Sequence, residues 1–182
     1  MTNAEIRLFR HGKVDFDSSG WVGADALMGE IDRYDAAPIL SHSIQESEWR
    51  PDLVLCSPLR RSIDSAIAMF GRVDIADLVF KEAELPRLPA LPIRLPVNSL
   101  LIMARCLWLC GASGQCEGIR SFRIRIGEAA DMLMDLLSEN KSAALVGHGI
   151  LNQFLAHELR KREFSGPRRP SRQHGGMSIY IR

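Results

Sequence analysis

The sequence lacks most of the features that mark a specialised environment. Its 182 residues hold four cysteines, Cys56, Cys106, Cys110 and Cys116, and no two of them form a Cys-x-x-Cys pair. No histidine lies near Cys106, Cys110 and Cys116 in sequence, and their spacing matches no usual zinc pattern. Reduced, mostly buried thiols are the expectation, with Cys56 inside an apolar run. Charge of one sign is lacking too: a formal net charge of +1 gives no broad pull toward nucleic acid or membrane. A leader-like N-terminus is not seen, because Glu5, Arg7 and Arg10 interrupt any apolar run, and the expectation is a cytoplasmic protein. The most apolar stretch, residues 98–110, is broken only by Arg105. As a helix it would span about 20 Å against a bilayer core of about 30 Å, which does not make a transmembrane span.

What is present is ordinary globular composition, 46% apolar and 25% charged, at a length suited to one domain over residues 1–182. Ile6, Leu8 and Phe9 read as a short buried strand that runs straight into Arg10-His11-Gly12. In an open parallel sheet the residue just past a strand's carboxyl end faces the ligand crevice, which places a fixed cation beside an imidazole there. Lys13 follows the turn, where it would help hold an anion. Residues 21–40 show no firm pattern, and a helix is expected over 41–49, ended by Pro51.

The pattern then sharpens. Residues 52–56 read as a buried strand, followed by Ser57 as N-cap, Pro58 in the first turn, and a helix over 59–70 that buries Leu59, Ile63, Ala66, Ile67 and Phe70. Arg60 and Arg61 fall near its N-terminus, where free N–H groups already favour an anion. Residues 73–80 read as another strand, ending near Glu82 and Glu84. Pro86, Pro89, Pro92 and Pro96 make an extended connector to the apolar helix 98–110. That helix is read first as buried, then as a subunit contact or a lid, and last as a membrane-surface contact. A long helix over 119–140 precedes the strand 143–146, which runs into Gly147-His148-Gly149 and a further helix from Ile150 to about Arg162. Residues 160–172 carry six basic residues against Glu163 alone and read as a solvated loop before a last strand at 179–181. His174 receives no role.

Three motifs in this order resemble the histidine phosphatase superfamily, the phosphoglycerate mutase-like fold: Leu8-Phe9-Arg10-His11-Gly12, Ser57-Pro58-Leu59-Arg60-Arg61-Ser62 with Ser65-Ala66, and Val146-Gly147-His148-Gly149. The resemblance covers about residues 5–160. It implies a three-layer α/β/α sandwich with a mostly parallel central sheet. It also implies that His11 is the nucleophile that becomes phosphorylated, with Arg10, Arg61 and His148 around the phosphoryl group; Gly149 and Lys13, beside these motifs, are expected to join them in holding the phosphate. Arg61 is preferred to Arg60 by its distance from Ser57. Phe80-Lys81-Glu82 fits the family's acid position, with Glu84 held in reserve. The implied activity is a phosphatase acting on a phosphorylated small molecule or phosphoprotein, with no metal and no cofactor, because two arginines and a second histidine supply the charge. Nucleic acid is not an expected partner, and homo-oligomerisation stays open.

Two departures bear on the activity. The mutase branch carries a glutamate or glutamine and an asparagine where Lys13 and Asp17 stand, and an aromatic-glycine pair where Leu85-Pro86 stands. Both favour a phosphatase over a mutase-type phosphotransferase. Residues 86–118 occupy the region where the superfamily varies its cap, which makes them the expected determinant of substrate choice. A zinc hydrolase built on His11, His148 and a glutamate, and a non-catalytic phosphate-binding module, are the competing readings.

Overall fold

The computed structural model describes residues 4–90, 92–139 and 141–182. In chain order the elements are β1 (Glu5–Arg10), β2 (Trp21–Val22), α1 (Leu27–Ala36), β3 (Leu53–Cys56), α2 (Arg60–Phe70), β4 (Ile75–Ala76), β5 (Leu95–Pro96), α3 (Val97–Leu109), α4 (Ile119–Glu139), β6 (Ser142–Gly147), α5 (Gly149–Lys161) and β7 (Met177–Ile181). The expected stop of α4 included Asn140, which lies outside the described residues.

The main sheet has the order β4-β3-β6-β1-β7. Its first four strands are parallel, and β7 runs antiparallel to β1. The central strands are apolar at nearly every position because both faces are covered, as parallel sheets require. Alternation along each strand divides the core in two. Ile6, Leu8, Leu55, Ala143 and Leu145 pack with α4 and α5 on one face. Phe9, Val54, Cys56, Ala144 and Val146 pack with Ala66 and Met69 of α2 on the other. A third cluster, Ala24, Leu27, Leu88, Val97, Leu100 and Ala104, joins α1 to α3 beside the small β2–β5 sheet. The three-layer α/β/α arrangement is as expected.

Several local expectations need correction. Residues 41–49 form a single 3-10 turn at Ser41–Ser43 rather than a helix. The Ser43 and Ser47 hydroxyls bond to nearby backbone groups, Ser43 to the Leu40 carbonyl at 2.6 Å and Ser47 from the Trp49 N–H at 3.2 Å. Such bonds compete with a helical ladder. The N-cap of α2 is Leu59, without a side-chain cap; Ser57 Oγ accepts from the Leu59 N–H at 3.3 Å, before the helix begins.

The buried face of α2 is Arg61, Ser62, Ser65, Ala66 and Met69, while Ile67 is exposed. Small residues let α2 lie close to the sheet, and Ser62 Oγ donates to the Val146 carbonyl at 2.5 Å. The strand expected over 73–80 pairs only at Ile75 and Ala76. The Asp77 carboxylate then accepts from the Val79 N–H at 2.8 Å and turns the chain into a 3-10 helix. Of the cysteines only Cys56 is buried; Cys106 and Cys110 are exposed, Cys116 is intermediate, and all four are free thiols. The helix α3, expected first as buried, buries Val97, Leu100, Ala104 and Trp108 but exposes its other side.

Candidate active site

The site lies where the carboxyl ends of β1 and β6 meet. Arg10 closes β1 in register with Gly147 of β6, and the His11 N–H donates to the Gly147 carbonyl at 3.0 Å. Two glycines are needed here for close approach. A Cβ at Gly12 would stand 2.7 Å from Ile44, and one at Gly147 would stand 2.6 Å from Asn152 Oδ1. The Gly12 N–H donates to Ser65 Oγ at 2.8 Å, and Ser65 Oγ donates to the Arg61 carbonyl at 2.5 Å. One serine thus ties the turn after β1 to the first turn of α2.

Arg10, His11, Arg61, Glu82, Glu84, His148 and Gly149 line a single cavity of about 950 Å³. Lys13 is exposed and does not line it; its backbone N–H donates to Ser43 Oγ at 2.9 Å. His11 is buried, with its ring centroid 5.1 Å from that of His148. His11 Nδ1 lies 2.7 Å from the Gly12 carbonyl oxygen. A carbonyl only accepts, so Nδ1 carries the proton and Nε2 keeps a lone pair. Burial, reinforced by Arg61, pushes the His11 pKa down to about 3. His148 is buried with no hydrogen-bond partner on either ring nitrogen, and its pKa also falls well below the ordinary value because of burial.

The two arginines are held differently. Arg10 donates from Nη1 to the Arg172 carbonyl. Arg61 donates from Nη1 to Asp35 Oδ1 at 2.5 Å and lies over the Tyr34 ring at 5.0 Å. In both, Nε is buried and unpartnered. Burying a polar group without a partner is costly, so four such atoms around one imidazole mark a place shaped for a ligand.

Glu82 accepts from the Ile150 and Leu151 N–H groups, each at 3.0 Å, and so sits at the N-terminus of α5 beside His148. Its charge acts on both Arg10 and Tyr34. Glu84 instead pairs with Lys81 at 3.0 Å. Among the described residues, no group of three or more His, Cys, Asp or Glu side chains is placed to hold a metal ion.

Four residues at this site carry no role in the sequence reading. Tyr34 and Asp35 come from α1, whose pattern of mixed polarity left no usable signal. Arg172 lines the cavity from the loop read as solvated. The His174 ring stands 5.3 Å from that of His11, and its Nδ1 donates to the His11 carbonyl at 3.2 Å. A histidine beside two glycines was a signal of the same kind as Gly147-His148-Gly149, but it precedes its strand rather than following one.

The three histidines give a test of the buried, neutral state. The His11, His148 and His174 pKa values are all lowered from 6.5, chiefly by burial. Below that value the unfolded chain binds more protons than the folded one, so stability falls as the pH falls from about 6.5 toward about 3. The urea midpoint is expected to drop already between about pH 6.5 and about pH 5.5, above the range where carboxylates titrate. A flat midpoint there would contradict neutral buried imidazoles.

No protein-family model matches the chain, and no curated protein matches it in sequence. Solved structures match it in fold. Phosphoglycerate mutase from Bacillus anthracis is 13% identical with a TM-score of 0.67, covering 100% of this chain and 88% of the mutase. Alpha-ribazole phosphatase from Shigella flexneri is 17% identical with a TM-score of 0.57, covering 96% and 89%. A mycobacterial glucosyl-3-phosphoglycerate phosphatase is 19% identical with a TM-score of 0.58, covering 87% and 80%. The chain therefore has the phosphoglycerate mutase-like fold, that of a mutase and of several phosphatases, as its three motifs implied.

Proposed function

We propose that the protein is a histidine phosphatase that hydrolyses a phosphate monoester through a phosphohistidine on His11. One observation carries this reading: the buried, unpartnered Arg10 Nε, Arg61 Nε and His148 ring nitrogens surround an imidazole whose Nε2 lone pair is free. Guanidinium forks suit phosphate oxygens, and phosphoryl transfer asks a protein mainly for positioning and charge stabilisation.

His11 Nε2 attacks phosphorus while Arg10, Arg61 and His148 bind the phosphoryl oxygens, and the bond from phosphorus to the ester oxygen breaks. Glu82, as the neutral acid, protonates that departing oxygen. The Glu82 carboxylate then takes a proton from water as the water oxygen attacks phosphorus. The P–N bond breaks, releasing inorganic phosphate and free His11. The Ile150 and Leu151 N–H groups hold the Glu82 carboxyl in place through both halves. The assay is hydrolysis of 4-nitrophenyl phosphate with and without EDTA. Activity that survives EDTA is expected. Activity lost on chelation and restored by zinc would replace this reading with the metal hydrolase.

Residues 86–118 act as the cap in this proposal. Val97, Leu101 and Ile102 of α3 line the cavity together with Met28 and Ile31 of α1, which gives the leaving group an apolar wall. Trp108 is unsuited to a test of selectivity, because it is buried against Phe122 with ring centroids 5.2 Å apart. Leu101→Ser with Ile102→Ser is expected to lower kcat/KM for naphthyl phosphate by about 10- to 100-fold relative to glycerol phosphate. An unchanged ratio in the folded variant would remove the cap from substrate choice.

A further inference from the structure

Residues 81–90 have no regular secondary structure, so no sheet or helix ladder fixes the chain that carries Glu82. Side chains do this instead. Arg125 of α4 donates from Nη1 to the Lys81 and Val79 carbonyls at 2.8 and 2.9 Å, on the N-terminal side of Glu82. On its C-terminal side Arg105 of α3 donates from Nη2 to the Ala83 carbonyl at 2.9 Å and from Nη1 to the Glu84 carbonyl at 3.4 Å. The Glu82 carboxylate itself accepts from the Ala83, Ile150 and Leu151 N–H groups.

The two arginines differ in what else surrounds them. Arg125 also bonds to both carboxylate oxygens of Glu117, at 2.9 and 2.5 Å, and does not line the active-site cavity. Arg105 lines that cavity and, among the described residues, makes no ion pair. Its guanidinium lies over the ring of buried Trp108 at 5.1 Å, and Trp108 Nε1 donates to the Glu117 carbonyl at 2.7 Å. Burial pushes the Arg105 pKa down, and the Glu82 charge opposes that shift. Val97, Leu101 and Arg105 follow one another at four-residue intervals along α3, and all three line the cavity. The helix face that walls the leaving group therefore also holds the backbone beside Glu82.

We propose that Arg105 is a positioning residue: it ties α3 to the Ala83 and Glu84 backbone, so that the cap sets where the Glu82 carboxyl meets the departing oxygen. This rests on the phosphatase reading and extends it, because the cap then shapes proton transfer as well as the leaving-group wall. A proton donor must lie within hydrogen-bond reach of the oxygen it serves, and a misplacement of about 1 Å costs up to about 100-fold. Loss of the Arg105 guanidinium frees the carbonyls on one side of Glu82, while Arg125 and the α5 N–H groups keep the residue in the site. Arg10, His11, Arg61 and His148 are carried by other elements and keep their places.

The experiment is single-turnover release of alcohol from phenylethyl phosphate and from 4-nitrophenyl phosphate by the full chain, Arg105→Met and Arg105→Lys, each checked by its melting curve. Arg105→Met is expected to slow release from phenylethyl phosphate by about 10- to 100-fold and from 4-nitrophenyl phosphate by less than about threefold. The ester concentration giving half-maximal rate should stay nearly unchanged. Arg105→Lys, which keeps one donor for the Ala83 carbonyl, should fall between native and Arg105→Met. Added to Glu82→Gln, Arg105→Met should slow phenylethyl phosphate by less than about threefold more, because no acid is left to position. Equal losses for the two esters would mean a structural role only and would overturn the proposal. So would a change confined to half-saturation, which makes Arg105 a direct substrate contact, or an undiminished loss on top of Glu82→Gln. If Arg105→Met does not fold, Arg105→Lys is read in its place, and native release from phenylethyl phosphate by that variant would overturn the proposal. All these outcomes leave the phosphatase reading standing; a native chain inert toward both esters would overturn that reading and this proposal with it.

Discussion

His11→Ala is expected to lower kcat/KM for 4-nitrophenyl phosphate by about 10⁴-fold or more, leaving a folded protein. The imidazole would be the only atom set that bonds to phosphorus in the proposed mechanism, and its loss leaves Arg10, Arg61 and His148 with an anion site but no nucleophile. Stability should move the other way. His11 is a buried polar ring beside Arg61 and His148, held neutral by that surrounding, and such groups are kept for function at a cost in stability. The variant should therefore melt at or above the native temperature and should still bind inorganic phosphate. An alanine variant that retains native turnover would remove His11 from the chemistry. One that is inactive because it is unfolded would show up in the melting curve, and His11→Asn then replaces it.

The second large effect is expected at Glu82, and its size depends on the leaving group. In the proposed mechanism Glu82 protonates the departing oxygen, a step that matters for an alkoxide and little for 4-nitrophenolate. Glu82→Gln should lower kcat by about 10²- to 10⁴-fold for an alkyl phosphate, and much less for the bond-breaking step with 4-nitrophenyl phosphate. This separates catalysis from the structural role that Glu82 also has. Glu82 accepts from Ala83, Ile150 and Leu151 N–H groups and so caps α5. A residue that only caps the helix would, on replacement, lower the urea midpoint and reduce turnover of both esters equally. Single-turnover measurement of alcohol release for the two esters distinguishes the outcomes. Glu84, paired with Lys81, which holds its carboxyl below the usual carboxylate range, should tolerate the same substitution.

The parts of the fold legible from sequence are those where burial leaves few choices. β1, β3 and β6 are covered on both faces, so their apolar runs read as strands, and each is followed by the glycine or serine-proline turn that leads to a cavity-lining residue. That is why Arg10, His11, Arg61 and His148 come to line one cavity from elements far apart in the chain. What was not legible depends on side-chain hydrogen bonds to the local backbone and on tertiary contacts. The helix expected at 41–49 is broken by serine hydroxyls that bond locally, while Trp49 finds its place under the Arg7 guanidinium at 3.9 Å.

The buried face of α2 could not be read from hydrophobicity, because serines lie against the sheet while Ile67 points outward. Asp35 and Tyr34 reach Arg61 from a helix of mixed polarity, and nothing in the local pattern distinguishes them from other solvated residues. His174 joins His11 only because Gly175 and Gly176 lay their chain along the end of β1, with the Gly175 N–H donating to the Arg10 carbonyl at 3.0 Å.

The central claim is a phosphate covalently held on His11. The measurement that tests it most directly is rapid acid-free denaturation of the enzyme during turnover of a ³²P-labelled monoester, followed by peptide mapping of the label. The account predicts protein-bound label that is stable to base and lost in acid, and that maps to the peptide containing His11. Glu82→Gln should retain more of it if water activation slows more than phosphorylation. Active enzyme that carries no such label, or carries it on a residue other than His11, would contradict the account.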